Sequence, residues 1–222
     1  MQNLKNLDCP NVVSDGRYLY SRNLVPGVAV YGERRMNLDG VEYRLWDPGR
    51  SKLAAYLMLS GRGCDLHKND VVLYLGASTG TTVSHISDIV DKGRIFAIEI
   101  SKKTFRTLMQ NCAPRKNIIP MLGDARDEDL MEGILTGADY LYCDIAQPDQ
   151  VGIFLSNFSQ YNFRSGMLML KCRSIDVASS PRSVLEEATS SIKERGYHVE
   201  MQVDISQYEK DHYALLVKSV DR

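Results

Sequence analysis

The chain has 222 residues, 44% hydrophobic and 25% charged, with a formal net charge of −1 and a pI of about 6.4. This suits one large soluble domain with a full core, and it lacks the strongly basic balance that by itself marks many nucleic-acid binders. Three further classes are disfavoured: no apolar run approaches the roughly 20 residues of a membrane span, the start MQNLKNLDCP has no signal-peptide core, and five cysteines without CxxC or CxxH spacing fit neither a disulfide framework nor a zinc site. We therefore expect a reducing, cytoplasmic setting.

The first 46 residues read as a small N-terminal β unit. Tyr18–Tyr20, Gly27–Tyr31 and Val41–Trp46 are short β-prone runs, and Asp39-Gly40 suits a hairpin turn. From residue 47 to 222 we expect a second unit. It opens with a helix over Arg50–Leu59, with Leu53, Ala54, Leu57 and Met58 at helical spacing and Gly61 as a stop.

From residue 70 the pattern changes. Apolar runs at Val71–Leu75, Ile95–Ile100, Ile118–Leu122, Tyr140–Cys143, Met167–Leu170, Val199–Ile205 and Tyr213–Val217 alternate with helix-length segments. Such continuous runs suit strands covered on both faces. Ser101 can cap a helix over Lys102–Cys112, Pro148 is placed to start another, and Ser180-Pro181 caps a helix over Val184–Arg195 that Gly196 ends. Repeated βα units predict an α/β fold with a mostly parallel, doubly wound sheet. Only Ser206–Asp211 separates the last two runs, too few residues for a crossover helix, so one strand near the C-terminus is expected to be antiparallel.

Four places can carry chemistry. The run Val71–Leu75 ends in Gly76-Ala-Ser78-Thr-Gly80-Thr81-Thr82, a Gly-x-x-x-Gly turn into a helix. It is neither GxGxxG nor a Walker A loop, and by itself it reads either as a ligand-approach turn or as a merely tight βα connection. Glu99 ends the next strand, 23 residues beyond Gly76, about the offset at which an acid meets both ribose hydroxyls of a nucleoside. Asp124 follows the third strand and can read an exocyclic amine or cap a helix. Asp144 follows the fourth, and Lys171 ends the fifth. A lysine closing an apolar run is costly unless paired or functional, so Asp144 and Lys171 are natural partners. Taken alone, Lys52 reads as a surface lysine and His212 as a turn residue. Charge is locally uneven: residues 101–126 hold six basic groups and Asp124, and residues 127–150 hold seven acids and no base. From charge alone, two solvated faces are the better reading.

Together these stretches resemble the fibrillarin family, the ribose 2′-O-methyltransferases of box C/D ribonucleoproteins, in its short archaeal form. The resemblance rests on Arg50–Ala55, Gly76–His85, Asn117–Pro120, Asp124–Arg126, Asp144-Ile-Ala-Gln-Pro-Asp-Gln150 and Asp211-His212. Gly49 stands where the family usually has an aromatic, and Cys172 where Ala or Ser is commoner. The resemblance implies a Rossmann-like methyltransferase fold with S-adenosyl-L-methionine as donor. It carries a Lys-Asp-Lys-His set onto Lys52, Asp144, Lys171 and His212. Cofactor contacts fall on Thr81, Thr82, Glu99, Ile100, Asp124, Ala125, Asp144, Ile145, Ala146 and Gln147, to which the glycine turn adds Gly76, Ser78 and Gly80.

Methyl transfer to a ribose hydroxyl is an in-line displacement, so the protein must align the acceptor and remove its proton. Lysine can act as the base where burial and a second cation favour its neutral form. The expected roles are Lys171 or Lys52 as base, Asp144 as their orienting partner and His212 as a positioner. The implied partners are a box C/D guide RNA, target rRNA or tRNA, a Nop-domain scaffold protein and a ribosomal-like kink-turn-binding protein. Two competing readings are weaker. An NAD-dependent oxidoreductase lacks its fingerprint, and a non-catalytic assembly protein with a vestigial cofactor site has no use for the intact polar set.

Overall fold

The computed structural model describes residues 4–132, 135 and 137–220. Residues 1–3 and 221–222, at the ends of the two expected units, lie outside the described residues. Two sheets organise the chain. Strands β1 (Lys5–Asn6), β2 (Val12–Ser14), β3 (Leu19–Arg22), β4 (Arg35–Leu38) and β5 (Val41–Trp46) form an antiparallel sheet in the order β1-β2-β3-β5-β4. The Asp39-Gly40 turn joins β4 to β5, with positive φ at both residues. The run Gly27–Tyr31 is not a strand. The backbone N–H groups of Val30 and Tyr31 donate to the Glu33 carboxylate instead of a ladder, and the hairpin partner of β5 is the less apolar Arg35–Leu38.

The remaining strands and α-helices are α1 (Lys52–Ser60), β6 (Val71–Leu75), α2 (Thr81–Ile89), β7 (Arg94–Glu99), α3 (Lys102–Cys112), β8 (Ile118–Leu122), β9 (Tyr140–Cys143), α4 (Gln150–Gln160), β10 (Ser165–Lys171), the single turn α5 (Cys172–Ile175), α6 (Pro181–Glu194), β11 (Tyr197–Asp204) and β12 (His212–Ser219), with a 3-10 turn over Glu128–Met131 between β8 and β9. Their seven strands make one sheet in the order β11-β12-β10-β9-β6-β7-β8. All pairs are parallel except those of β12, which runs antiparallel to both β10 and β11. The seven-residue link before β12 is too short for a crossover helix, so β12 turns back on β11. Ser51, Ser101 and Ser180 cap their helices through side-chain oxygens, and Gly61 ends α1 in the left-handed conformation. Helix α4 starts at Gln150, two residues after Pro148, and strand β7 stops at Glu99, leaving Ile100 exposed.

The period-2 alternation of side chains sends each strand to two cores. Val72, Tyr74, Ala97, Tyr142 and Met169 face α1, α2, α3 and the N-terminal sheet, while Leu73, Leu75, Phe96, Leu141 and Leu170 face α4 and α6. The chain leaves β6 toward β7 and β8, then returns to lay β9 on the other side of β6. The carboxyl ends of β6 and β9 therefore part at the reversal of strand order, where open α/β sheets bind ligands.

The N-terminal sheet is fastened to α2 by a buried polar cluster. Asp88 accepts from Arg44 at 2.8 Å, Arg115 at 2.5 Å, Ser21 at 2.7 Å and the Leu24 N–H at 2.9 Å. Arg44 also pairs with Glu33 at 2.6 Å. Burial works to raise the Glu33 carboxyl, but Arg44 and the amides of Tyr31 and Val30 outweigh it and hold it below its ordinary value. Two buried guanidiniums thus meet two buried carboxylates, which balances the charge. His85 stacks on Trp46 at 4.7 Å and hydrogen-bonds Ser21 and Tyr31, both at 2.7 Å. Burial, with Arg44 and Arg115 nearby, pushes its pKa well below the usual value, so the ring is neutral.

Candidate functional site

A cavity of about 260 Å³ opens at the parting of β6 and β9. Gly76, Ser78, Glu99, Ile100, Asp124, Ala125, Asp144, Ile145, Ala146, Gln147 and Lys171 line it, with Ile98, Gly123 and Ile153. Five strand ends and α4 supply this set, which is why residues nearly 100 positions apart meet.

Gly76 has φ of +82°, and a Cβ there would lie 2.6 Å from the Asp144 carbonyl oxygen. Only glycine lets the two strand ends approach this closely. Glu99 is 8% exposed, and each carboxylate oxygen is held by one backbone amide: Oε2 by Ser78 N–H at 2.9 Å, Oε1 by Ser101 N–H at 2.8 Å. Both oxygens keep lone pairs for a ligand with two adjacent hydroxyls. Asp124 accepts from the Arg126 N–H and guanidinium, and those bonds hold its carboxyl below the ordinary range. Ile98, Ile100, Ala125 and Ile153 add apolar wall to the cavity.

At the mouth stands Asp144. Lys52 approaches its Oδ2 at 3.3 Å, and Lys171 its Oδ1 at 3.0 Å and its carbonyl at 3.2 Å. Both lysine side chains are 15% exposed and the carboxylate 14%, enough shielding for the charges to act strongly on one another. Lys52 is the first residue of α1, where the helix dipole disfavours a cation. Its place there is compensated by Asp144 and by Glu209, 3.9 Å away. His212 lies directly opposite Lys171 in the β10–β12 register, so their side chains share a face. Its Nδ1 is 2.7 Å from the Lys210 carbonyl and must carry the proton. In the neutral ring Nε2 is then an acceptor.

Three expected cofactor residues lie outside the cavity lining. Gly80 caps α2 with φ of +102°, and Cys112 Sγ would sit 2.7 Å from a Cβ there. Thr81 and Thr82 open α2, and Thr82 Oγ1 donates to Ser51 Oγ at 3.0 Å, bracing the helix turn that carries Lys52. Gly49 sits in an exposed turn closed by its N–H to Asp47, and Cys172 is buried. Sequence reasoning missed the supporting residues Ser51, Gln150 and Glu209. Ser51 was legible as a serine immediately before an apolar-periodic helix. The other two gave no local signal.

Comparison with known proteins now places this geometry. Residues 8–221 match the family model described as Fibrillarin. A fibrillarin-like rRNA/tRNA 2′-O-methyltransferase of Methanothermobacter thermautotrophicus is 46% identical over 211 residues, covering 92% of this chain and 94% of that protein. Among solved structures, the Methanococcus jannaschii fibrillarin pre-rRNA processing protein superposes with a TM-score of 0.90 at 35% identity over the whole of both chains. Aeropyrum pernix fibrillarin with natively bound S-adenosyl-L-methionine gives 0.83 at 34% identity, covering 98% of this chain and 100% of that one. The fibrillarin of a fibrillarin/Nop5p complex gives 0.80 at 36%, covering 99% and 98%.

Proposed function

The chain belongs to the fibrillarin family, and from that premise we propose that it is an S-adenosylmethionine-dependent methyltransferase that modifies the ribose 2′-hydroxyl of rRNA and tRNA under a box C/D guide RNA. The observation that carries this reading is the Asp144 carboxylate at the crevice mouth, bracketed by the ammonium groups of Lys52 and Lys171. Residues 47–222 form the methyltransferase domain and residues 1–46 an N-terminal β unit bearing on α2.

The donor set of the crevice fits the cofactor. Glu99 offers two acceptor oxygens for the ribose hydroxyls, Asp124 an acceptor for the adenine amine, and Ile98, Ile100 and Ala125 an apolar bed for the base. The stretch Asp144–Gln147 faces the methionine end. When bound, S-adenosylmethionine supplies a methyl group already activated on a sulfonium.

The chain's own residues then have two tasks. They must hold the 2′-oxygen in line with the methyl group, and they must accept its proton. Lys171, which lines the cavity, takes the proton, while Lys52 stays paired with two carboxylates, Asp144 and Glu209. Asp144 fixes both lysines, and His212 uses its free Nε2 as acceptor to orient the incoming ribose. Alignment of this kind is worth several kcal/mol of barrier.

The RNA comes to this site on other bodies. A guide RNA pairs with the target, a Nop-domain scaffold docks the chain, and a kink-turn-binding protein completes the particle. A cytoplasmic setting accords with five free thiols, and no helix among the described residues is long and apolar enough to cross a membrane. Assembly of the particle with labelled S-adenosylmethionine tests this: ribose methylation mapped to the guided nucleotide supports the reading, and a particle that binds the cofactor without methylating contradicts it.

A further inference from the structure

Gln150, the first residue of α4, is fully buried where β9 and β10 part. The parallel ladder between those strands runs from Tyr140 opposite Ser165 to Cys143 opposite Leu168 and stops. Strand β10 continues through Met169 and Leu170 to Lys171, still paired with β12 on its other side. The Met169 carbonyl and the Lys171 N–H thus lose their β9 partner just short of the site. Gln150 takes its place. Its Nε2 donates to the Met169 carbonyl at 2.8 Å and its Oε1 accepts from the Lys171 N–H at 3.0 Å. The second Nε2 hydrogen goes to the Ile145 carbonyl at 2.6 Å. Both donors of the amide are used, and three backbone groups from two strand ends converge on one side chain.

We propose that Gln150 is a positioning residue for methyl transfer, a substitute peptide group that sets the splay of β9 and β10 at which Lys171 meets Asp144. It ties the residue after Asp144 to Met169 and Lys171, and the contacts it governs are those of the Lys171 ammonium with the Asp144 carboxylate and carbonyl, at 3.0 and 3.2 Å. An apolar side chain of like size would fill the space but leave all three backbone groups unpaired, and they would reorganise. The inference rests on the methyltransferase reading above.

The test uses the assembled particle with wild-type chain, Gln150→Leu and Gln150→Glu. Melting and cofactor calorimetry run beside single-turnover methylation over a range of pH. A misplacement of the base by about 1 Å costs on the order of 100-fold in rate. The expected result is a methylation rate at least tenfold lower and a displaced pH–rate profile, with KM for the target within about twofold and cofactor affinity little changed. A folded Gln150→Leu variant with the wild-type rate and pH profile would overturn the proposal, as would a loss that only tracks lost folding or cofactor affinity. If neither variant folds, hydrogen exchange in the wild-type chain decides. Gln150 side-chain amide protons exchanging as fast as those of exposed Gln110 would overturn the proposal, and strong protection supports it. An inactive wild-type particle would instead count against the functional reading itself.

Discussion

At the scale of single residues, the proposed function divides the site into groups that would hold the cofactor and groups that would move a proton, and mutation separates the two. Glu99→Ala removes two acceptor oxygens already steered by backbone amides. We expect S-adenosylmethionine affinity to fall by about 1–3 kcal/mol, or roughly 5- to 150-fold. Unchanged affinity by calorimetry would sink the assignment. Lys171→Ala should abolish most turnover and leave cofactor binding near wild type. Lys171→Arg should fail as well, since a guanidinium keeps its charge against Asp144 but does not release its proton in proteins. Methylation by Lys171→Arg at near the wild-type rate would assign the proton to another group. Gly76, Glu99, Asp124, Asp144 and Lys171 were legible in the sequence because each ends a recognisable apolar run, and strand ends gather at one edge of a parallel sheet. Gln150 and Glu209 were not, because their partners lie on other elements and no spacing encodes that.

At the scale of elements, the seven strands of the main sheet and two helix caps could be read from periodicity and from Ser101 and Ser180. The N-terminal sheet was harder. Gly27–Tyr31 has the composition of a strand, yet Glu33 satisfies its amides locally. Arg115 falls in a charged stretch that reads as a solvated face, yet it and Arg44 are both buried against Asp88, an acid in the last turn of α2. Asp88→Ala would leave two buried guanidiniums short of a partner and should destabilise the fold by about 3–5 kcal/mol. Urea unfolding checks this. A loss under 1 kcal/mol would show that the cluster relaxes or hydrates.

The same cluster predicts a pH dependence. His85 is neutral in the fold because burial and the two arginines depress its pKa. The unfolded chain therefore binds this proton first as pH falls. Its share of stability is complete above about pH 6.5 and is lost below it, at up to about 1.4 kcal/mol per pH unit. His85→Phe keeps the stacking on Trp46 and cannot titrate. Between pH 7 and 5 it should lose stability less steeply than the wild type, though it starts lower for want of the Ser21 and Tyr31 hydrogen bonds. Parallel slopes would contradict the assignment.

At the scale of the whole molecule, charge limits what the chain does alone. Of the six basic groups in residues 101–126, Arg115 is buried and Arg126 pairs with Asp124 at 2.6 Å. Lys102, Lys103, Arg106 and Lys116 remain as exposed bases, on a chain of net charge −1. Few phosphates can be neutralised, so bare RNA should bind weakly and lose affinity with salt. Yet the acceptor ribose must lie in line with the methyl group within a small tolerance. Partners that carry and align the RNA reconcile the two demands. The most direct test is labelled methyl incorporation at the guided nucleotide, measured for the full particle, the particle without this chain, the particle without guide RNA, and this chain with target RNA only. The account predicts site-specific ribose methylation in the full particle and in none of the others. Robust, site-specific methylation by the purified chain alone, or a full particle that binds S-adenosylmethionine and stays inactive, would contradict it.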